Sequence, residues 1–212
     1  MNLAQLTTAI QQYLECYETT FTDNIPVFLR NAEQRIYTKI NLPATRKTVT
    51  GTLTIGVGTI DLVGLTDAYL APISLSLTVN SAPAYLLNKE LNYLTEMYPA
   101  ATQGTPTLYA QVDETQLIVR PLPDAAYPFA LNYYAKADSI LDGTSWLGDN
   151  FDSVLMHGAL VEGALFLKLG KDTVALHEAA FGEKMALLEI LIDGKNQQDQ
   201  YRKGTARVPV KG

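Results

Sequence analysis

The hydrophobic period of the chain changes twice, and that change limits the fold more than any other feature of the sequence. Leu3, Leu6, Ile10, Tyr13, Leu14 and Tyr17 recur at steps of three and four, which places them on one face of a helix. A second helix follows. Asp23 or Asn24 is its N-cap, Pro26 sits in its first turn, and Ile25, Phe28, Leu29, Ala32, Ile36 and Ile40 form a stripe that Pro43 ends. From Thr48 the period becomes two. Thr48, Thr50, Thr52 and Thr54 alternate with Val49, Gly51, Leu53, Ile55 and Val57, the pattern of a half-buried strand with a threonine outer face.

Further strands fill the middle of the chain. Residues 73–79 and 84–87 read as a hairpin around Asn80, Ser81, Ala82 and Pro83, and residues 89–98 as a short helix stopped by Pro99. Residues 107–112 and 116–120 pair across Asp113 and Glu114, and residues 129–135 add one more strand. Residues 119–137 form a proline-bracketed, tyrosine-rich ribbon that is apolar on both sides. Pro121, Pro123 and Pro128 cannot donate ladder hydrogen bonds, so its turn is expected at an edge or rim of the sheet, with apolar surface exposed.

Beyond a loop at residues 137–150 the period returns to that of a helix. Residues 151–169 are apolar nearly all round and must be covered on several sides, and Gly158, Ala159, Gly163 and Ala164 let another backbone come close. Asp172 or Thr173 caps the last helix, whose Val174, Phe181, Met185, Leu188 and Ile192 line one side and whose exit is Gly194. The layout is helices, a β-rich middle, then helices.

Composition narrows the class. Of the 212 residues, 47% are apolar and 18% charged, which is globular rather than disordered usage. Cys16 is the only cysteine, so no intrachain disulfide or multi-cysteine zinc site exists, and a reducing compartment fits best. The first residues lack both a basic segment and a continuous apolar core, so no signal peptide is expected. The longest apolar run, residues 154–169, is shorter than the roughly 20 residues of a membrane span and contains His157, Glu162 and Lys168, so a soluble chain is expected. Net charge is −6, which argues against a body that grips nucleic acid. The charge is uneven: the last 20 residues hold five cations and two acids, for +3, leaving −9 on the preceding 192.

Candidate chemistry is thin. His177 and Glu178 open like a zinc-protease HExxH, but Phe181 stands where the second imidazole must be, so a solvated His–Glu pair is the expectation. His157 is expected as a hydrogen-bonded core or interface histidine. Residues 56–61, GVGTID, imitate half of a dinucleotide loop but lack the third glycine and the following helix, which makes them a turn. Cys16 has no evident base beside it. Asp138, Asp142, Asp149 and Asp152 could supply oxygen ligands to calcium, although their spacing matches no EF-hand and capping accounts for them more simply. Asp113 and Glu114 are adjacent and poorly placed for a glycosidase pair. No cofactor is expected.

Residues 195–212 contain almost no apolar material before Val208 and Val210. One reading is a solvated end. The other is a segment that orders on a partner, for which Tyr201, Val208, Pro209 and Val210 are anchors. Four stretches in this order, LAQLTTAIQQYL with IPVFLRNAEQRIYTKI, GTPTLYAQVDETQLIVRPLPD, FALNYYAKADSIL, and DSVLMHGALVEGALFLKLGKDTVALHEAAFGEKMALLEIL, resemble the head-tail adaptor, or connector, proteins of tailed bacteriophages.

The resemblance implies an α+β fold. A helical bundle is formed by residues 1–45 and 138–194, an antiparallel β domain is inserted at residues 46–137, and residues 195–212 make an extended C-terminal arm. It also implies a non-enzymatic ring, usually of twelve copies, in the neck of a virion made in the bacterial host cytoplasm. That ring sits beneath the portal, continues the DNA channel without reading sequence, contacts no membrane, and receives a nozzle or other tail protein. The arm, with Lys195, Tyr201, Arg202, Lys203, Arg207, Val208 and Val210, is then expected on the portal protein, and Tyr127, Phe129, Tyr133, Gly158 and Gly163 at contacts between copies. The alternative is a β-rich module at a phage tail tip that binds glycan or protein.

Overall fold

A computed structural model describes residues 1–98 and 102–196, with side chains described through residue 192. The protein is a mixed α+β chain, with six α-helices among the described residues and a curled β-sheet. It divides into two compact units: one comprises Met1–Pro43 and the chain from Ala137 onward, the other Ala44–Lys136.

In the helical unit, α1 (Leu3–Tyr13) opens on a reciprocal cap in which Asn2 Oδ1 accepts the Gln5 N–H and Gln5 Oε1 accepts the Asn2 N–H, each at 3.0 Å. Next, α2 (Thr19–Lys39) begins at a Glu18 cap, earlier than the Asp23 or Asn24 expected from sequence, and carries Pro26 in its interior. An internal proline costs roughly 3 kcal/mol. The stripe continues upstream of it, however, and burying Phe21 and Ile25 favours one long helix over a short one.

After a 3₁₀ turn at Ile140–Asp142 come α4 (Trp146–Asn150), α5 (Asp152–Phe166) and α6 (Lys171–Asn196). The last helix runs past Gly194, the expected exit. As its all-round apolar sequence requires, α5 is enclosed by α1, α2 and α6. A Cβ on Gly158 would lie 2.7 Å from Ala32 Cβ and 3.1 Å from the Phe181 ring, and one on Gly163 would lie 2.7 Å from Leu14 Cδ1.

Where the chain re-enters this unit, buried Glu33 of α2 fastens it. Its two carboxylate oxygens accept the Ser139 hydroxyl and the Ile140 N–H, both at 2.7 Å. Burial raises the Glu33 pKa from 4.5, and nearby Asp142 adds to this, against the two hydrogen bonds and Arg30.

The other unit contains β1 (Arg46–Thr52), β2 (Thr59–Asp61), β3 (Tyr69–Val79), β4 (Ala82–Asn88), α3 (Leu91–Met97), β5 (Gln103–Gly104), β6 (Leu108–Gln111), β7 (Gln116–Arg120), β8 (Leu122–Pro123) and β9 (Pro128–Ala135). The seven-stranded sheet has the order β1-β9-β3-β4-β6-β7-β2, and β5 pairs with β8 separately. Asn80 and Ser81, with φ of 49° and 65°, make the two-residue turn between β3 and β4.

The first five residues of β4 pair with β3 and its last two pair with β6, so β4 is the strand at which the sheet changes partners. Inside the curl lie Leu75, Leu77, Leu86, Leu117, Leu131 and Tyr133. Two sequence expectations are corrected here. The sheet is not wholly antiparallel: β4 and β6 run parallel because α3 intervenes as a crossover. Nor is residues 119–137 an exposed ribbon, since β7 and β9 are not neighbours and β9 lies between β1 and β3, with Leu131 and Tyr133 in the core.

Two outcomes follow from this packing. Gly158→Val forces α5 off Ala32 and is expected to destabilise the chain by about 1–3 kcal/mol in urea denaturation. For Glu33, the raised pKa means the folded chain holds the proton more tightly than the unfolded one, so its contribution is full below pH 4.5 and falls as pH rises through the folded value. Glu33→Gln keeps an acceptor for Ile140 and offers Ser139 a donor. Its stability relative to the parent is therefore expected to improve as pH rises above 4.5.

Candidate functional site

The residues with chemical potential are dispersed and serve packing. Glu178 does not form an isolated pair with His177: its Oε1 is 2.5 Å from an Arg35 nitrogen. The Arg35 guanidinium also lies 3.8 Å from Glu162 and 4.7 Å from the centroid of Phe181, while Asn31 Nδ2 donates to Glu162 at 3.1 Å. One cation on α2 thus ties α5 and α6 along a shallow polar groove of about 600 Å³ that Gln34, Thr38 and Lys39 also line. Two carboxylates neutralise the Arg35 charge, so that residue joins the helices along a seam.

His157 departs from the hydrogen-bonded histidine expected. Its Nδ1 is buried without a partner among the described residues. Burial first, then the positive charges of Lys184 and His177, hold its pKa below 6.5, opposed by Glu183, so the ring is neutral near pH 7. Asp113 lies in the turn between β6 and β7. Its Oδ1 accepts both the hydroxyl and the N–H of Thr115 at 2.7 Å, and these bonds lower its pKa. Gly56, with φ of 72°, sits in the turn before β2, and the second half of residues 56–61 is β2 itself, so the segment is turn and strand with no helix after it. Among the described residues no group of three or more His, Cys, Asp and Glu side chains comes together to hold a metal, and Asp152 instead pairs with the terminal amine at 3.3 Å. No helix of the described residues is long and apolar enough to cross a membrane.

The residues expected at contacts between copies pack largely within their own units. Gly158 and Gly163 face Ala32 and Leu14. Tyr133 stacks on Tyr69 at 5.7 Å and donates its hydroxyl to the Asp67 carbonyl. Phe129 covers Gly51, where a Cβ would fall 2.7 Å from its ring, and Tyr127 donates to Asp124 at 2.7 Å. Of the arm residues, Lys195 falls within α6, while Tyr201, Arg202, Lys203, Arg207, Val208 and Val210 lie outside the described residues.

Unsatisfied apolar surface lies elsewhere. On α6, Phe181, Met185, Leu188 and Ile192 face the core, while Leu176, Leu187 and Ile190 are 68%, 45% and 68% exposed. At about 100° per residue these three fall within about 60° of one another, opposite the buried stripe. Opposite its buried stripe the helix therefore carries three large apolar side chains that the described residues leave uncovered, with the exposed Glu183 on the same side between Leu176 and Leu187. Sequence reading assigned the inward stripe and stopped there. Leu176, Leu187 and Ile190, separated by eleven and three positions, were the missed signal.

At the end of the helical unit where α1 turns into α2 and α5 into α6, Tyr17 is 67% and Leu165 54% exposed. Both turns hold a non-glycine residue in the left-handed region, Glu15 and Lys168, with φ of 49° and 53°. These surfaces can bind other chains, and nothing in their make-up assembles a reaction centre.

Comparison with curated proteins gives no match. The family model described as SU10 adaptor protein matches residues 1–209. With the match running through both units, the chain belongs to the SU10 adaptor protein family, a family of phage head-tail adaptors.

Proposed function

We propose that this phage adaptor is a non-enzymatic ring subunit of the virion neck. In this reading about twelve copies sit below the portal protein, continue its channel, and receive a nozzle or other tail protein, with packaged DNA passing through unread. The observation that carries it is the set of exposed apolar side chains on the outward side of α6. A closed ring needs heterologous contacts, so each copy must present two different complementary surfaces. Leu176, Leu187 and Ile190 supply one, and the patch around Tyr17 and Leu165 is suited to be the other.

The two units support a bundle made of the N- and C-terminal helices with the β unit inserted between them in sequence. The charge separation fits the same reading. An acidic body, at −9 over the first 192 residues, would not grip DNA, and a cationic arm of residues 195–212 would order on the portal. Tying arm order to assembly keeps single copies soluble until a portal is present.

Mass measurement is expected to give monomers alone and one large symmetric complex when portal is added. Leu187→Glu combined with Ile190→Glu changes only exposed positions, so folding stability should move by roughly 0.5 kcal/mol or less while ring formation is lost. Wild-type rings from that variant would remove α6 from the interface. Truncation after Asn196 should leave the fold intact and abolish portal attachment, and unchanged attachment would refute the role of the arm.

A further inference from the structure

We propose that the free edge of β1 receives an extended strand from a separate, carboxylate-bearing polypeptide. Among the described residues β1 is bonded on one side only, to β9. Leu53 N–H donates to the Tyr127 carbonyl at 2.8 Å, which fixes the phase of the antiparallel ladder. Lys47, Val49 and Gly51 bond to β9, and the N–H and C=O groups of Arg46, Thr48, Thr50 and Thr52 turn outward. Pro128, which has no N–H, sits opposite Thr52 as this phase requires.

The two edges of the sheet are protected unequally. At the other end β2 is three residues long, and Asp61 Oδ1 turns back to accept the Val63 N–H at 2.8 Å. Short length and charge are ordinary ways of blunting an edge. By contrast β1 has seven residues in an unbroken register, with no proline, and no charge from Thr48 to Thr52. An apolar face leaves its occupant open, but a sheet edge specifies an extended backbone. The exposed threonine side chains suit cross-strand neighbours on an added strand.

Charge selects among possible strands. Lys47 is held by Asp67 at 3.2 Å. Arg46, 6.0 Å from the centroid of Tyr134, has no carboxylate partner among the described residues. The incoming strand is therefore one that brings an acid opposite Arg46. The chain's own residues 195–212 hold five cations against Asp199 and would be repelled there. A second copy's β2 turns only Thr59 and Asp61 outward, given that Leu62 N–H bonds to the Thr115 carbonyl. Neither matches the four outward residues of β1, and a second copy's β1, whose Arg46–Thr52 holds two cations and no carboxylate, brings no acid to Arg46, which leaves a different protein.

The inference rests on the adaptor reading only in that this protein is met in the assembled neck. Hydrogen exchange at the Thr48, Thr50 and Thr52 amides is to be measured on the full chain alone and on necks isolated from particles. Exchange is expected to be fast in the free chain and slower by about tenfold or more in the neck. Thr50→Pro removes an outward donor that β9 does not use, so the urea midpoint should stay near that of the parent. Protection at Thr48 and Thr52 should be lost, whereas Thr50→Val keeps it. Should Thr50→Pro fail to fold, Arg46→Glu gives the same reading through charge reversal, with loss of protection expected. Four results overturn the proposal: equal exchange in both states, protection already present in the free chain, protection that survives Thr50→Pro or Arg46→Glu, or cross-links from position 48 to a second copy. A normal ring with a bare β1 edge would sink the strand and leave the adaptor reading standing.

Discussion

The close approach of α5 to its three neighbours is the constraint on which the helical unit depends. Gly158 and Gly163 each cost about 1 kcal/mol of helix propensity relative to alanine. In exchange, Ala32, Phe181, Leu14 and Phe21 reach positions that a methyl group would occupy. With α5 seated, the Arg35 seam and the Glu33 tether can form, because the partners of both are carried by helices or turns that α5 holds in register.

Stability and assembly place opposite demands on α6. One face of the helix completes the core with Phe181, Met185, Leu188 and Ile192. The other keeps Leu176, Leu187 and Ile190 in water, at odds with the usual amphipathic plan for a surface helix. A chain selected only to fold alone would carry polar groups there. In the β unit the sheet is finished unevenly in the same sense, with one blunt edge and one open edge. In the proposed assembly both features are completed by another chain.

Much of this was legible in the sequence, and the failures share a cause. The change of period separated helices from strands along the chain, the Asp113–Glu114 turn was correctly placed between β6 and β7, and four of the five residues of the expected α6 stripe are buried, Val174 being only half-buried. Pro26 misled because local preference puts proline in a first turn, whereas burial of Phe21 decided the start of α2. The apolar ribbon misled because period two says that a strand is half buried or buried, but not which strands flank it. Strand order is a long-range property, and β9 turned out to be flanked on both sides. The glycines were rightly read as close approaches, but what approaches is side chains of the same chain, Ala32 and Phe181 at Gly158 and Leu14 and Phe21 at Gly163. The outward face of α6 was missed because one good stripe had already accounted for the helix.

The central claim is that this chain carries apolar surface which only assembly covers. Hydroxyl-radical footprinting of Leu176, Leu187 and Ile190 tests it most directly, comparing the free chain with the neck of intact particles. The account predicts strong labelling of all three in the free chain and little in the neck. Labelling that is weak in the free chain, or equally strong in both states, would contradict it.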